Sequence, residues 1–143
     1  MLENLVIGTL IISMTVVIHT FGLIWVTRAM NWLTSKVRLQ AHRSRILAMN
    51  SVVIGIFAVL TVEVWLWALA YLLLNVFGDF ETALYFSTST FSTVGYGDLV
   101  TSEQWRLLAG LESVNGFLLI GWSTAYLVAA SMRVGPFKAG EHF

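Results

Sequence analysis

The sequence predicts an all-α membrane protein with three transmembrane helices. Two features of composition and one of arrangement predict it. Hydrophobic residues make up 57% of the 143 positions and charged residues only 11%, against about 25% charge in a soluble domain. The mean hydropathy is +0.79. The apolar residues fall into three long blocks, and roughly 20 such residues in a helix cross a hydrocarbon core about 30 Å thick. Backbone groups in lipid must be satisfied within their own segment, so each block reads as a helix. A net charge of +0 gives no basic field to attract nucleic acid. Cys 0 excludes disulfides, thiolate catalysis and iron–sulfur ligation, and Pro 1 argues against a long linker.

The first block runs from about Leu5 to Trp25 or a little beyond, within an N-terminal region 1–30. Its start, Met1-Leu2-Glu3-Asn4, is acidic, and no Ala-x-Ala site follows, so it reads as a span and not as a signal peptide. The second runs from about Ser51 to Phe77 and the third from about Leu107 to Met132. Arg28, Lys36, Arg38, Arg43 and Arg45 fall between the first two spans, and Arg133 and Lys138 follow the third; Arg106 alone lies elsewhere. By the bias of basic residues toward the cytoplasm, the connector 31–50 and a short tail 133–143 are cytoplasmic. The N-terminus and the segment from Gly78 to Gln104 face outward, in a plasma or inner membrane. The stretch Asn31 to Leu47 mixes bases with Trp32, Leu33, Val37, Leu39, Ile46 and Leu47. It reads either as a helix on the inner membrane face or as a cytoplasmic extension of its neighbours.

Between the second and third spans, residues 79–92 are too few to cross the bilayer. Asp79 suits an N-cap, and Glu81 complements the positive end of a helix. A short re-entrant helix over 79–92 is expected, and the backbone after it must line something, because irregular backbone at membrane depth survives only in protein or beside water.

The residues directly after this helix are Thr93-Val94-Gly95-Tyr96-Gly97-Asp98. This stretch resembles the potassium-channel signature, and the resemblance extends over residues 51–132: outer helix 51–77, pore helix 79–92, selectivity filter 93–98 and inner helix 107–132. It does not cover the first span. The resemblance implies a potassium-selective channel in which backbone carbonyls replace the hydration shell of the ion. Thr93, Val94, Gly95, Tyr96 and Gly97 would then be the ion-binding residues, with K+ held at Thr93 to Tyr96. Glycine reaches positive φ cheaply, and Gly95 and Gly97 supply the angles that aim successive carbonyls at one axis. Val94 and Tyr96 would pack outward. One copy of the signature per chain, closed into a ring, implies a homotetramer with cyclic symmetry. Identical subunits and the lipid bilayer are the partners expected. No cofactor, nucleic acid or small-molecule substrate is expected beyond K+ as the permeant ion.

By the same resemblance, Tyr85 and Phe86 match an aromatic cuff that braces the filter. Gly116 stands where such channels often have a hinge glycine, with Gly121 soon after; close packing through a small residue is the other reading of Gly116. Phe117, Ile120 and Thr124 would face the cavity. Ser89 occupies the place of a pore-helix glutamate that elsewhere pairs with the aspartate after the filter, so Asp98 is expected to lack that partner. Glu63 and Glu112 lie within spans and should face the protein interior, since a carboxylate at a helix centre costs about 2.5–3.5 kcal/mol on insertion scales. Glu112 and Asn115 share a face, and Glu112 is expected to support the filter by bonding hydroxyls of the pore helix. Trp25, Trp32 and Trp105 suit interfacial anchors, and Trp65, Trp67 and Trp122 suit packing. Asp79, Glu81, Asp98 and Glu103 would concentrate cations at the outer mouth. His19, His42 and His142 have no ligand-like spacing. Gly135-Pro136 should end the inner helix.

Three rival readings remain. A non-selective cation channel of the same fold is opposed by Tyr96. Gly95-Tyr96-Gly97-Asp98 also fits the Gly-x-Gly-Asp pattern of intramembrane aspartyl proteases, but such an enzyme needs two aspartates within spans, and Asp79 is outside one. Transporters with degenerate filters carry four repeats in one chain, and this chain has one.

Overall fold

The computed structural model describes residues 1–36 and 42–134. It is all-helical: α1 (Leu2–Lys36), α2 (His42–Leu73), α3 (Phe80–Phe91) and α4 (Arg106–Val134), with one 3-10 turn, Glu103–Trp105, leading into α4. Three of the helices, over Leu2–Leu33, Arg45–Leu73 and Glu103–Arg133, are long and apolar enough to cross a membrane. The break expected at Gly135-Pro136, Lys138, His142 and the centre of the connector lie outside the described residues. Within 31–47, α1 continues to Lys36 and α2 begins at His42.

α2 stops at Leu73, four residues short of the expected end. Asn75 adopts a left-handed φ of 54°. Its amide bonds Leu72 O at 3.0 Å and the Val76 amide bonds Tyr71 O at 2.9 Å, the paired bonds of a Schellman C-terminus with asparagine in the position usually held by glycine. Val76 and Phe77 therefore belong to the turn, and Phe77 folds back onto Phe86 with ring centroids 4.9 Å apart.

Lipid tails are as apolar as leucine, so helices in a bilayer associate through close packing and hydrogen bonds. The α1 contacts follow that rule. Asn4 Nδ2 donates to Gln104 O at 2.8 Å, Asn115 Nδ2 donates to Thr15 Oγ1 at 2.9 Å, and Thr27 and Tyr126 share a hydroxyl bond of 2.7 Å. These pairs lie 100, 100 and 99 residues apart, so α1 and α4 run parallel and in step. Against α2 the order is reversed: His19 meets Glu63, Gly22 receives Val59, and Gly55 receives Val26. α3 is wedged between α2 and α4. The main core joins Trp67, Ala68 and Tyr71 of α2, Ala83, Phe86 and Phe91 of α3, and Leu108 and Leu119 of α4.

One tryptophan departs from expectation. Trp105 is 8% exposed and belongs to the main core, because the 3-10 turn tucks it under α4 instead of at the surface. Trp65 and Trp122 are half exposed, with Trp65 meeting Phe80 edge-on. Trp25 and Trp32 lie on the exposed face of α1, and Trp67 is fully buried.

Candidate functional site

Thr93 to Asp98, singled out by sequence, form the loop between α3 and α4. α3 starts at Asp79, whose extended backbone lets Oδ1 accept from the Thr82 amide at 2.8 Å while Oδ2 accepts from the Thr82 hydroxyl at 2.7 Å. These bonds hold the Asp79 carboxyl below the usual carboxylate range, the amide bond being the larger cause. α3 ends at Phe91 with Ser92 as its cap. Thr93 comes next in the left-handed region, φ 61°, and its amide bonds Thr90 O at 3.0 Å. A β-branched residue there is an outlier, and such strain concentrates where function fixes the backbone.

Gly95 and Gly97 also have positive φ, 55° and 79°, whereas Val94 and Tyr96 do not. The sign of φ therefore alternates from Thr93 to Gly97. Alternation gathers successive amides on one side of a segment and leaves the carbonyls to the other. Ser89 receives those amides: Gly95 N–H donates to Ser89 O at 3.1 Å and Tyr96 N–H donates to Ser89 Oγ at 3.3 Å. Among the described residues nothing donates to the carbonyl oxygens of Thr93 to Gly97. Val94 and Tyr96 are 56% and 73% exposed, so their outward packing is not made within one chain. Behind the loop lies a pocket of about 520 Å³ lined by Phe86, Thr90, Leu99, Val100 and Ala109, with Arg106 at its edge.

Asp98 has a partner the sequence did not supply. The Tyr85 hydroxyl, one turn before Ser89, donates to Asp98 Oδ2 at 2.8 Å, and the Leu99 amide donates to Oδ1 at 3.0 Å. The carboxylate bond raises the Tyr85 phenol above the ordinary tyrosine range. Phe86 turns the other way and packs edge-on against Tyr71, 5.2 Å between centroids.

Glu112 is completely buried. Ser87 Oγ lies 2.6 Å from its Oε1, and the Tyr71 hydroxyl donates to Oε2 at 2.7 Å. The carboxyl thus ties α4 to both α3 and α2 directly behind the loop. Gly116 abuts the end of α3: a Cβ there would collide with Phe91 O. α4 continues unbroken through this point, and the missing side chain of Gly116 makes room for the Phe91 carbonyl. Phe117, Gly121 and Thr124 are exposed on α4, and Ile120 lines a groove of about 320 Å³ with Thr88, Phe91 and Ser92.

Sequence reasoning missed Tyr71, Ser87, Thr15 and the His19–Glu63 pair. His19 Nδ1 lies 2.9 Å from Glu63 Oε1, and both side chains are fully buried. The signal in the sequence is depth: two ionisable residues within antiparallel spans are each other's natural partner. No group of three or more metal-ligating side chains occurs among the described residues.

No curated protein and no solved structure gives a significant match to the chain. A family described as "Ion channel" matches residues 57–133, more than half of the chain, from mid-α2 through α3 and the loop to the end of α4. The chain belongs to that family of ion channels and is an integral membrane protein.

Proposed function

We propose that the protein is a potassium-selective channel, with Thr93 to Gly97 as its filter. One observation carries this reading. The amides of Thr93, Gly95 and Tyr96 are bonded back into α3, while the carbonyls from Thr93 to Gly97 are free and φ alternates in sign along the loop. A row of unengaged carbonyls offers dipoles without net charge, so a dehydrated cation binds and still leaves. The end of α3 points its negative pole at the inner side of this row.

A single chain presents one such row, with Val94 and Tyr96 bare. Four copies related by cyclic symmetry close it into a ring, with Phe117, Ile120, Gly121 and Thr124 facing a common cavity below. The ends of α1 and α4 that carry Arg28 and Arg133, and the start of α2 with Arg45, lie at one side of the bundle, which supports a cytoplasmic assignment for that side and an outer position for the loop.

The test is potassium efflux from vesicles containing the purified protein. Efflux that Gly97→Ala abolishes is expected. Efflux indifferent to Gly97 would remove the loop from the conduction path.

A further inference from the structure

α1 contributes one ionisable side chain to the membrane interior, and its surroundings give it a role. His19 and Glu63 meet at full burial, yet each keeps one polar atom without a partner: His19 Nε2 and Glu63 Oε2. An orphaned buried polar group costs stability, and this one pair carries two of them. Facing His19 from the pore-lining helix is the Trp122 ring, 5.1 Å between centroids and tilted by 46°. Trp122 comes directly after Gly121 and stands between Ile120 and Thr124.

We propose that His19 and Glu63 position the pore-facing half of α4 through Trp122, and that the hold depends on whether the imidazole carries a proton. This rests on the conduction reading of the loop. In the tautomer whose Nδ1–H donates to an ionised Glu63, Nε2 is an open lone pair. A proton entering there breaks no existing hydrogen bond and converts a pair of net charge −1 into a neutral ion pair. It also changes what Trp122 meets. An imidazolium is drawn to the electron-rich indole face, whereas a neutral imidazole makes only a ring contact. A differential contact of this kind is what a shift between two arrangements of α4 requires.

No other charged group competes at this depth. Residues 15–23 of α1, 59–67 of α2, 115–123 of α4 and the last turn of α3 contain no further charged or titratable side chain. The next titratable groups along the bundle are Tyr71 and Glu112 toward the loop and Tyr126 away from it, each roughly 10–12 Å distant along the helices at 1.5 Å per residue. Asn115, bonded to Thr15 one turn above His19, and Glu112, bonded to Ser87, continue the buried polar contacts from the pair to α3.

The experiment is single-channel recording of the full chain in planar bilayers, stepped from acid to alkaline pH. The wild type is expected to change its open probability about fivefold or more, with unitary conductance unchanged. His19→Gln combined with Glu63→Gln keeps an amide pair that cannot titrate, and its open probability should be flat with pH. Trp122→Leu leaves the pair intact and should also be flat. A wild type insensitive to pH, or a double variant that keeps the wild-type profile, overturns the proposal. Tryptophan fluorescence separates this failure from failure of the conduction reading. A pH-dependent difference between wild type and Trp122→Phe, absent in the double variant, is expected whether or not current flows; its absence in wild type overturns the proposal independently.

Discussion

Ser87 and Glu112 meet at 2.6 Å in the protein interior, where α3 passes between α2 and α4. The Ser87 hydroxyl also lies 2.9 Å from Val64 O. It has one proton, and a carbonyl has none to give. Both contacts are satisfied together when Ser87 donates to Val64 O and accepts a hydrogen bond from a protonated Glu112 carboxyl, with Tyr71 donating to the other oxygen. Glu112→Gln preserves this pattern, since an amide also offers one donor and one acceptor atom. It should cost little stability, whereas Glu112→Leu strands the Tyr71 hydroxyl at about 1–3 kcal/mol and leaves Ser87 with its bond to Val64 O alone. Thermal unfolding in detergent compares the two; equal losses would contradict this bond order.

Gly116 and Gly121 lie just over one turn apart on α4, and opposite outcomes are expected of them. Gly116→Ala drives a methyl into the Phe91 carbonyl, and overpacking of this kind costs about 1–3 kcal/mol or more. Gly121→Ala meets nothing within 4 Å in the chain and removes a helix penalty of about 1 kcal/mol. Melting temperatures of the two variants should move in opposite directions. A tolerated Gly116→Ala would mean that α3 and α4 do not touch at the Phe91 carbonyl.

The Asp79 cap carries a pH dependence of determined sign. Its carboxyl is depressed in the folded state. The stabilisation is therefore complete above the ordinary carboxylate range and is lost as pH falls through the lower folded value. Asp79→Asn keeps a capping oxygen and should retain most of the stability with less acid sensitivity; Asp79→Ala should lose it at neutral pH as well. Unfolding curves taken from neutral to strongly acid pH distinguish the three proteins.

Tyr85 and Asp98 brace the end of the loop that leads toward α4. The carboxylate raises the Tyr85 phenol, so Asp98→Asn should bring its ultraviolet titration down toward the ordinary tyrosine range, and Tyr85→Phe should remove that signal while releasing Asp98. An unchanged titration in Asp98→Asn would mean that the contact is absent in solution.

The three spans are legible because hydropathy over long windows reports directly on the solvent. The cap at Asp79 is legible because capping is local in sequence. The end of α2 is not, since it depends on Asn75 taking a left-handed turn that leucine and valine neighbours do not announce. The loop glycines show where positive φ is needed, but Thr93 joins them against its own β-branched preference, imposed by the way α3 terminates. Resemblance directs attention to Ser89 as the place of an Asp98 partner; geometry puts Ser89 beneath the loop amides and gives Asp98 to Tyr85. The pairing of His19 with Glu63 depends on the register of α1 against α2, which the sequence contains only as two isolated polar residues in apolar blocks.

The most direct test of the central claim is the reversal potential of the reconstituted protein with potassium on one side of the membrane and sodium on the other. Conduction through a row of carbonyls sized for dehydrated potassium predicts a reversal potential that follows the potassium gradient, by about 59 mV per tenfold change for a one-charge species, and ignores sodium. A reversal potential near zero under that gradient, or membranes that carry no current under any condition, would contradict it.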